Sequence, residues 1–291
     1  MILQQVINGL ALGMVYALVA VGYSLIFGIL RLLNMAHGSI YALGAHLITV
    51  FISVNLGFIP AAIFSMMLTG LVSVFFDRIL LMPLRRKQTS GITSLITTIG
   101  FSYVIQNLLM IIFGSQTRSF PGVLNFGSWT VGSFSFQSSQ VIIFAVSLIL
   151  LLLLTLLVNK SKIGLAMRAV EQNEKGAMIV GINVRNVVTF TFFLSGVSAA
   201  VAGSLIAAYY QMVYFDMGVL IGIKAFSAAV VGGIGVLHGS VIGGLLIGVA
   251  ECLAVPFLGG SFRDSAAFIF LFIVLIIRPN GLFGKKGITK V

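Results

Sequence analysis

The feature that most limits what this chain can fold into is its run of apolar blocks, at approximately 6–30, 38–55, 60–81, 92–113, 140–158, 187–210, 220–236, 238–258 and 264–280. Each is about 17–25 residues long, the length a helix needs to cross ~30 Å of hydrocarbon. Lipid offers no partner to a free backbone N–H or C=O, so a block of this kind spans as a helix that satisfies its own groups. The expected fold is an all-α integral membrane protein, a polytopic bundle of about eight to nine transmembrane helices. It forms a single transmembrane domain over 1–291. The blocks 220–236 and 238–258 are short, broken by glycine and separated by little more than Leu237. A count of about eight spans with one re-entrant piece is therefore the alternative.

Charged residues make up 8% of the chain, against about 25% in soluble domains, too few to clothe a water-facing surface. The net charge of +11 does not point to nucleic acid, because the 17 Lys and Arg lie mainly between the apolar blocks and form no stripe along a face. Basic residues in short loops are held on the cytoplasmic side. With the N-terminus outside and the C-terminus cytoplasmic, only Arg118, Lys224 and Arg263 fall outside. Arg31, Arg78, the loop Arg85, Arg86 and Lys87, the loop from Lys160 to Arg185, and the tail Arg278, Lys285, Lys286 and Lys290 all fall inside. The start, MILQQVINGL, has no basic n-region and no clear cleavage site, so insertion is expected to begin with the first apolar helix.

Chemistry-bearing residues are sparse. There is one cysteine, Cys252, no CxxC, no HExxH, no GxSxG elbow and no GxxxxGK[ST] phosphate cradle; no catalytic residue or metal ligand set is assigned. If ATP drives this protein, another polypeptide hydrolyses it. A charge near the bilayer centre costs at least ~2.5–3.5 kcal/mol, so Lys224 and Glu251, with Asn34 and His37 beside a helix break, are the candidates for a translocation pathway. His46, Gln106 and Asn107 are expected to make interhelical hydrogen bonds. Two tripeptides, His37-Gly38-Ser39 and His238-Gly239-Ser240, each begin a glycine-containing helix and suggest an internal repeat of two same-orientation units of three helices. The small residues from Gly196 to Gly248 form small-xxx-small faces, fitted either to a permease–permease interface or translocation wall or to packing within the chain.

Two loops stand out. The segment 114–139 is a polar external loop with the only tryptophan, Trp129, expected to anchor at the interface, with docking of a partner as the alternative. The segment 159–187 is too long for a turn and reads as an amphipathic helix. Ile163, Met167, Val170, Ala177 and Met178 take one face, while Arg168, Glu171 and Lys175 take the other. Gly181 supplies a stop. Such a helix either lies on the inner leaflet or seats in a groove on a soluble partner. A coupling lever held by Arg168, Glu171 and Glu174 is expected to run on through Gly181 into the next span.

The order Arg168-Ala-Val-Glu171-Gln-Asn-Glu174, Gly181-Ile182-Asn183-Val184, Ser195-Gly196 and Ala202-Gly203 resembles the coupling region of bacterial branched-chain amino acid ABC-transporter permeases of the LivH type. So do Gly9-Leu10-Ala11-Leu12-Gly13, Asn34-Met35-Ala36-His37-Gly38, Val231-Gly232-Gly233-Ile234-Gly235 and Arg278-Pro279-Asn280-Gly281-Leu282-Phe283-Gly284, so the likeness runs nearly end to end. The resemblance implies a permease of the bacterial inner membrane that carries Leu, Ile or Val. It also implies two cytosolic ATPase subunits that hold ATP and Mg, a second permease of the LivM type, and an external solute-binding protein. Related permeases for urea or short amides give the alternative cargo, and a secondary transporter or channel is the rival class. The common coupling pattern Glu-Ala-Ala-x-x-x-Gly is degenerate here, because six positions before Gly181 stands Lys175, with Glu174 one place earlier.

Overall fold

The computed structural model describes residues 2–87, 89–124, 127–131 and 134–284; the tail lysines Lys285, Lys286 and Lys290 lie outside them. Among the described residues, seven helices are long and apolar enough to cross a membrane. They are α1 (Ile2–Leu30), α3 with its continuation (Phe58–Arg86), α5 (Gly91–Phe113), α6 (Ser138–Lys160), α9 (Val184–Tyr210), α11 (Leu237–Leu258) and the segment Gly260–Ile277, which contains α12 (Arg263–Ile277). Two apolar helices are shorter, α2 (His37–Ser53) and α10 (Met217–Gly232). The nine expected blocks are therefore nine helices of unequal reach. Helix α3 (Phe58–Phe76) passes through a π-helical turn, Asp77–Leu81, into α4 (Met82–Arg86). Inside that turn the buried Asp77 pairs with Arg85.

Without a hydrophobic drive between helices in lipid, association depends on close packing and hydrogen bonds, and glycine decides where helices meet. Helix α1 lies antiparallel on α11, with Gly9 against Val249, Gly13 against Leu245 and Gly28 near Gly235. Helix α9 lies in the same way on α3, with Gly196 against Gly70 and Ser73, and the Arg78 Nε donating to Thr189 Oγ1 at 3.0 Å. The short helices cross each other near their N-termini, where a Cβ on Gly38 would strike the Gly218 carbonyl and one on Gly218 would strike Gly38. His37 and Met217, the first residues of α2 and α10, are both buried. The His37 ring covers Gly22, eight residues before the end of α1, so α2 begins well inside the bundle.

These pairings reveal the repeat. Exchanging α1, α2, α3 and α5 for α9, α10, α11 and α12 maps α1 on α11 onto α9 on α3, α2 on α9 onto α10 on α1, and α5 beside α2 onto α12 beside α10. Helices α1 and α9 are themselves antiparallel: Asn8 and Tyr209 share the Gln140 amide, while the Gly22 carbonyl accepts from Ser195. An internal repeat is present, but its halves run in opposite directions, as in inverted-repeat transporters. The two His-Gly-Ser tripeptides sit on α2 and α11, which are not counterparts. The expectation of same-orientation units is corrected accordingly.

The small-residue faces of α9 to α11 are spent inside the chain, on α1, α2 and α3 and between α10 and α11 themselves. The loop 114–139 is not free of strands: β1 (Arg118–Ser119) pairs with β4 (Met212–Val213), and β2 (Ser128–Val131) with β3 (Phe134–Gln137). Trp129 stands exposed on β2. Of the three expected interhelical bonds, Gln106 makes one, to Ser39 Oγ on α2 at 3.2 Å. His46 and Asn107 instead meet carbonyls one turn back in their own helices, Ala42 and Tyr103.

At the α2–α10 crossing, Gly38→Val or Gly218→Val is expected to abolish the single symmetric gel-filtration peak of the protein in mild detergent. Overpacking of this kind costs at least ~1–3 kcal/mol. Gly100→Ala, at a site with nothing within 4 Å, is expected to leave the peak intact.

Candidate functional site

At the end of the bundle that carries β1 and β4, α11 stops at Gly259, whose φ of +85° only glycine takes without strain. A 3₁₀ turn, Gly260–Phe262, then swings the chain into α12. This return brings Arg263 and Asp264 back over Glu251, three residues beyond the Gly248 that fits α1. Lys224 reaches the same point from α10, and Tyr16 from α1.

The resulting cluster is tightly connected. Lys224 Nζ donates to Glu251 Oε1 at 3.0 Å and to Asp264 Oδ1 at 2.5 Å. Arg263 Nε lies 2.7 Å from Glu251 Oε1, and the Tyr16 hydroxyl donates to Glu251 Oε2 at 2.9 Å. The Lys224 ammonium also sits 5.7 Å from the centre of the Tyr16 ring, within cation–π range. Lys224 and Glu251 are only 2% and 1% exposed, whereas the Asp264 side chain is half open at 49%. Two cations and two carboxylates cancel, which is how charges can be kept out of water at all: each desolvation penalty is offset by a partner at bonding distance.

The cluster forms one wall of a cavity of about 280 Å³. Tyr210 and Tyr214 flank it, and Ile206, Met217, Leu220 and Ile221 supply an apolar wall. Among the described residues no group of three or more His, Cys, Asp or Glu could hold a metal ion.

Of the residues expected to mark a pathway, Lys224 and Glu251 are brought together. Lys224 does not snorkel to an interface; it is buried against two carboxylates. Asn34 and His37 are not part of the cluster. His37 Nδ1 lies 3.2 Å from Ser195 Oγ and its ring meets Tyr23 edge-on, while Asn34 Oδ1 accepts from the Ala36 N–H and so shapes the turn before α2. Sequence reasoning missed Tyr16, Arg263 and Asp264. The adjacent opposite charges Arg263-Asp264 at the head of an apolar block were the one available signal.

The segment 159–187 departs from its expectation. It forms two helices, α7 (Lys162–Gln172) and α8 (Glu174–Ile179), and neither runs into α9. Asn173 ends α7 in an extended conformation and caps α8 by accepting from the Gly176 N–H, and Gly181 takes φ +86°. Met167, Val170 and Ala177 are buried, with Arg168 half-buried. Glu171 lies beside Gly28 at the end of α1, and Glu174 is exposed in the first turn of α8, where the helix dipole favours an acid. Ile163 and Met178, expected on the packed face, are exposed. So are Ile179 and Val180, at 85% and 75%.

Seven helices of membrane-crossing length, two shorter apolar helices between them and opposed repeats define a multi-pass membrane protein of transporter-like build. Residues 5–278 match the family model described as the permease component of the branched-chain amino acid transport system, and the chain belongs to that family. It is 35% identical over 302 residues to the high-affinity branched-chain amino acid transport system permease protein BraD of Pseudomonas aeruginosa, covering 99% of this chain and 98% of that one. It is 34% identical to LivH of Escherichia coli K12, covering 99% and 97%. A third relative, the autoinducer 2 import system permease protein LsrC of Yersinia pestis, is 29% identical over 79% of this chain and 62% of its own length. The solved structure of PsaBC from Streptococcus pneumoniae in complex with Fab aligns with a TM-score of 0.51 at 16% identity, covering 95% of this chain and 92% of that one, and shares the fold. The protein is a transport subunit and not an enzyme.

Removing one member of the buried pair leaves an uncompensated charge. Lys224→Met or Glu251→Gln alone is expected to cost about 3–5 kcal/mol, and the double variant less than the two losses added. Thermal unfolding midpoints in detergent read the difference, and additive losses would show that the pair is not coupled.

Proposed function

We propose that this chain is the membrane-spanning subunit of an ATP-binding-cassette importer for Leu, Ile or Val in the bacterial inner membrane. It works with two cytosolic ATPase subunits, which hold ATP and Mg, a second permease of the LivM type and an external solute-binding protein. The observation that carries this reading is identity over nearly the full length with BraD and LivH, both named for branched-chain amino acid transport. LsrC, named for autoinducer 2 import, is a relative with a different cargo, and so makes the cargo worth testing directly. Uptake of radiolabelled leucine by proteoliposomes holding the assembled complex is expected to require both ATP and the binding protein. Uptake that persists without nucleotide would favour a secondary carrier.

In this reading the end with α7 and α8 faces the cytoplasm, and the ATPases are met by Arg168, Glu171, Glu174, Gly181 and the exposed tip Met178-Ile179-Val180. An apolar tip at 85% exposure for Ile179 has the character of a partner contact. The break at Asn173 makes the lever jointed, with α7 resting on α1, α6 and α9 and α8 packed on α7 and α9. Lys224 and Glu251 border the path on one side of the α2–α10 crossing, and Asn34 and His37 on the other.

Glu171→Ala with Glu174→Ala, and separately Ile179→Asp, are expected to lower binding-protein-stimulated ATPase activity by roughly tenfold, the effect of losing about 1.4 kcal/mol of coupling. Membrane insertion should persist. A C-terminal green fluorescent protein fusion is expected to fluoresce, as it does only when its fusion point is cytoplasmic.

A further inference from the structure

The cavity at the β1–β4 end has a composition that the importer reading does not by itself require. One wall carries four charges summing to zero, Lys224, Glu251, Arg263 and Asp264, joined to each other at 2.5 to 3.0 Å. The rest of the lining is largely apolar: Met217, Leu220 and Ile221 precede Lys224 along the same face of α10, and Ile206 joins them from α9. The volume, about 280 Å³, lies at the lower edge of the ~300–1,000 Å³ range of small-molecule pockets, which suits a ligand of a few heavy atoms. The side chains of Asp264 and Arg263 are 49% and 28% exposed while those of Lys224 and Glu251 are nearly closed off, so the cluster grades from an open rim to a buried floor.

The geometry points to a binding site in this cavity for the zwitterionic head group of an α-amino acid, its carboxylate taken by Arg263 and Lys224, its ammonium by Asp264 and Glu251, and its aliphatic side chain by the apolar wall. A zwitterion enters such a cluster by exchanging partners: each internal pair it opens frees one cation and one carboxylate, which meet the ligand's carboxylate and ammonium, and the sum of charges stays at zero. An anion or a cation alone leaves one member unmatched in a low-dielectric wall, which is strongly unfavourable, and a neutral amide offers no charge to either pole. Discrimination therefore comes from what the wrong ligand leaves unpaired as much as from what the right one gains. The inference rests on the permease reading, since it gives the site a cargo, but its test does not need transport.

The experiment uses the assembled complex in lipid nanodiscs, without nucleotide and without binding protein. Binding is measured with three probes of one carbon skeleton: L-leucine, 4-methylpentanoate, which lacks the ammonium, and 3-methylbutylamine, which lacks the carboxylate. The wild type is expected to bind leucine saturably and the other two at least about tenfold more weakly, the size of one lost charged hydrogen bond. Asp264→Asn is expected to weaken leucine by about tenfold or more while 4-methylpentanoate binds as well as before or better. Arg263→Gln is expected to do the reverse, sparing 3-methylbutylamine. A purely structural cluster would show no such crossing: equal loss of all three probes, leucine affinity untouched in both variants, or no saturable leucine binding by the wild type would each overturn the site. Failure of the importer reading appears elsewhere, as leucine uptake by proteoliposomes that ignores ATP.

Discussion

Everything in this molecule hangs on backbone meeting backbone. In lipid, burying one more leucine gains little, because the tails outside are as apolar as the core inside; what holds a bundle together is how closely its helices come. Here α1 reaches α11 through Gly9, Gly13, Gly244 and Gly248, α9 reaches α3 through Gly70 and Gly196, and the short α2 and α10 touch through Gly38 and Gly218. Only at that separation can the Tyr16 hydroxyl on α1 reach Glu251 on α11, and Lys224 on α10 reach both Glu251 and Asp264. The charge cluster is thus a product of the glycine contacts, and it pins the same helices again from the side.

If the proposed path runs through this cavity, the cluster reconciles two demands that usually conflict. Buried charges are expensive and a permease must be stable, yet a solute path needs polar groups that can let go. A set of four charges with no net sum satisfies the first demand through mutual pairing. It satisfies the second because its outer members, Arg263 and Asp264, are partly wetted and so cheaper to open than Lys224 and Glu251.

Much of this was legible in the sequence. Nine apolar blocks became nine helices, and the doubtful pair around Leu237 proved to be a short helix followed by a full one. Lys224 and Glu251 stood out because an ionisable residue in an apolar block needs a reason. Their partners did not, since Arg263 and Asp264 sit at a helix start, where charge is ordinary, and only the turn at Gly259 folds them back. The direction of the repeat was hidden as well: His-Gly-Ser recurs by local composition, whereas the true correspondence lies in helix length and packing, which no tripeptide records. The periodicity of 159–187 continues across Asn173 and on its own predicts one helix. The break comes from the side chain of Asn173 capping the next turn, a competition that hydrophobic spacing does not see.

The opposed halves leave an accounting of direction. A four-helix unit and its inverted copy present the same architecture to either face of a bilayer, so neither half by itself distinguishes inward from outward. Among the α-helices longer than five residues, those without a counterpart are α6, α7 and α8, threaded between the halves over Ser138–Ile179. They place a two-helix elbow with a bare aliphatic tip at one end only. In the proposed importer reading it is this insertion, contained in neither half, that tells the ATPases which end of the bundle to meet.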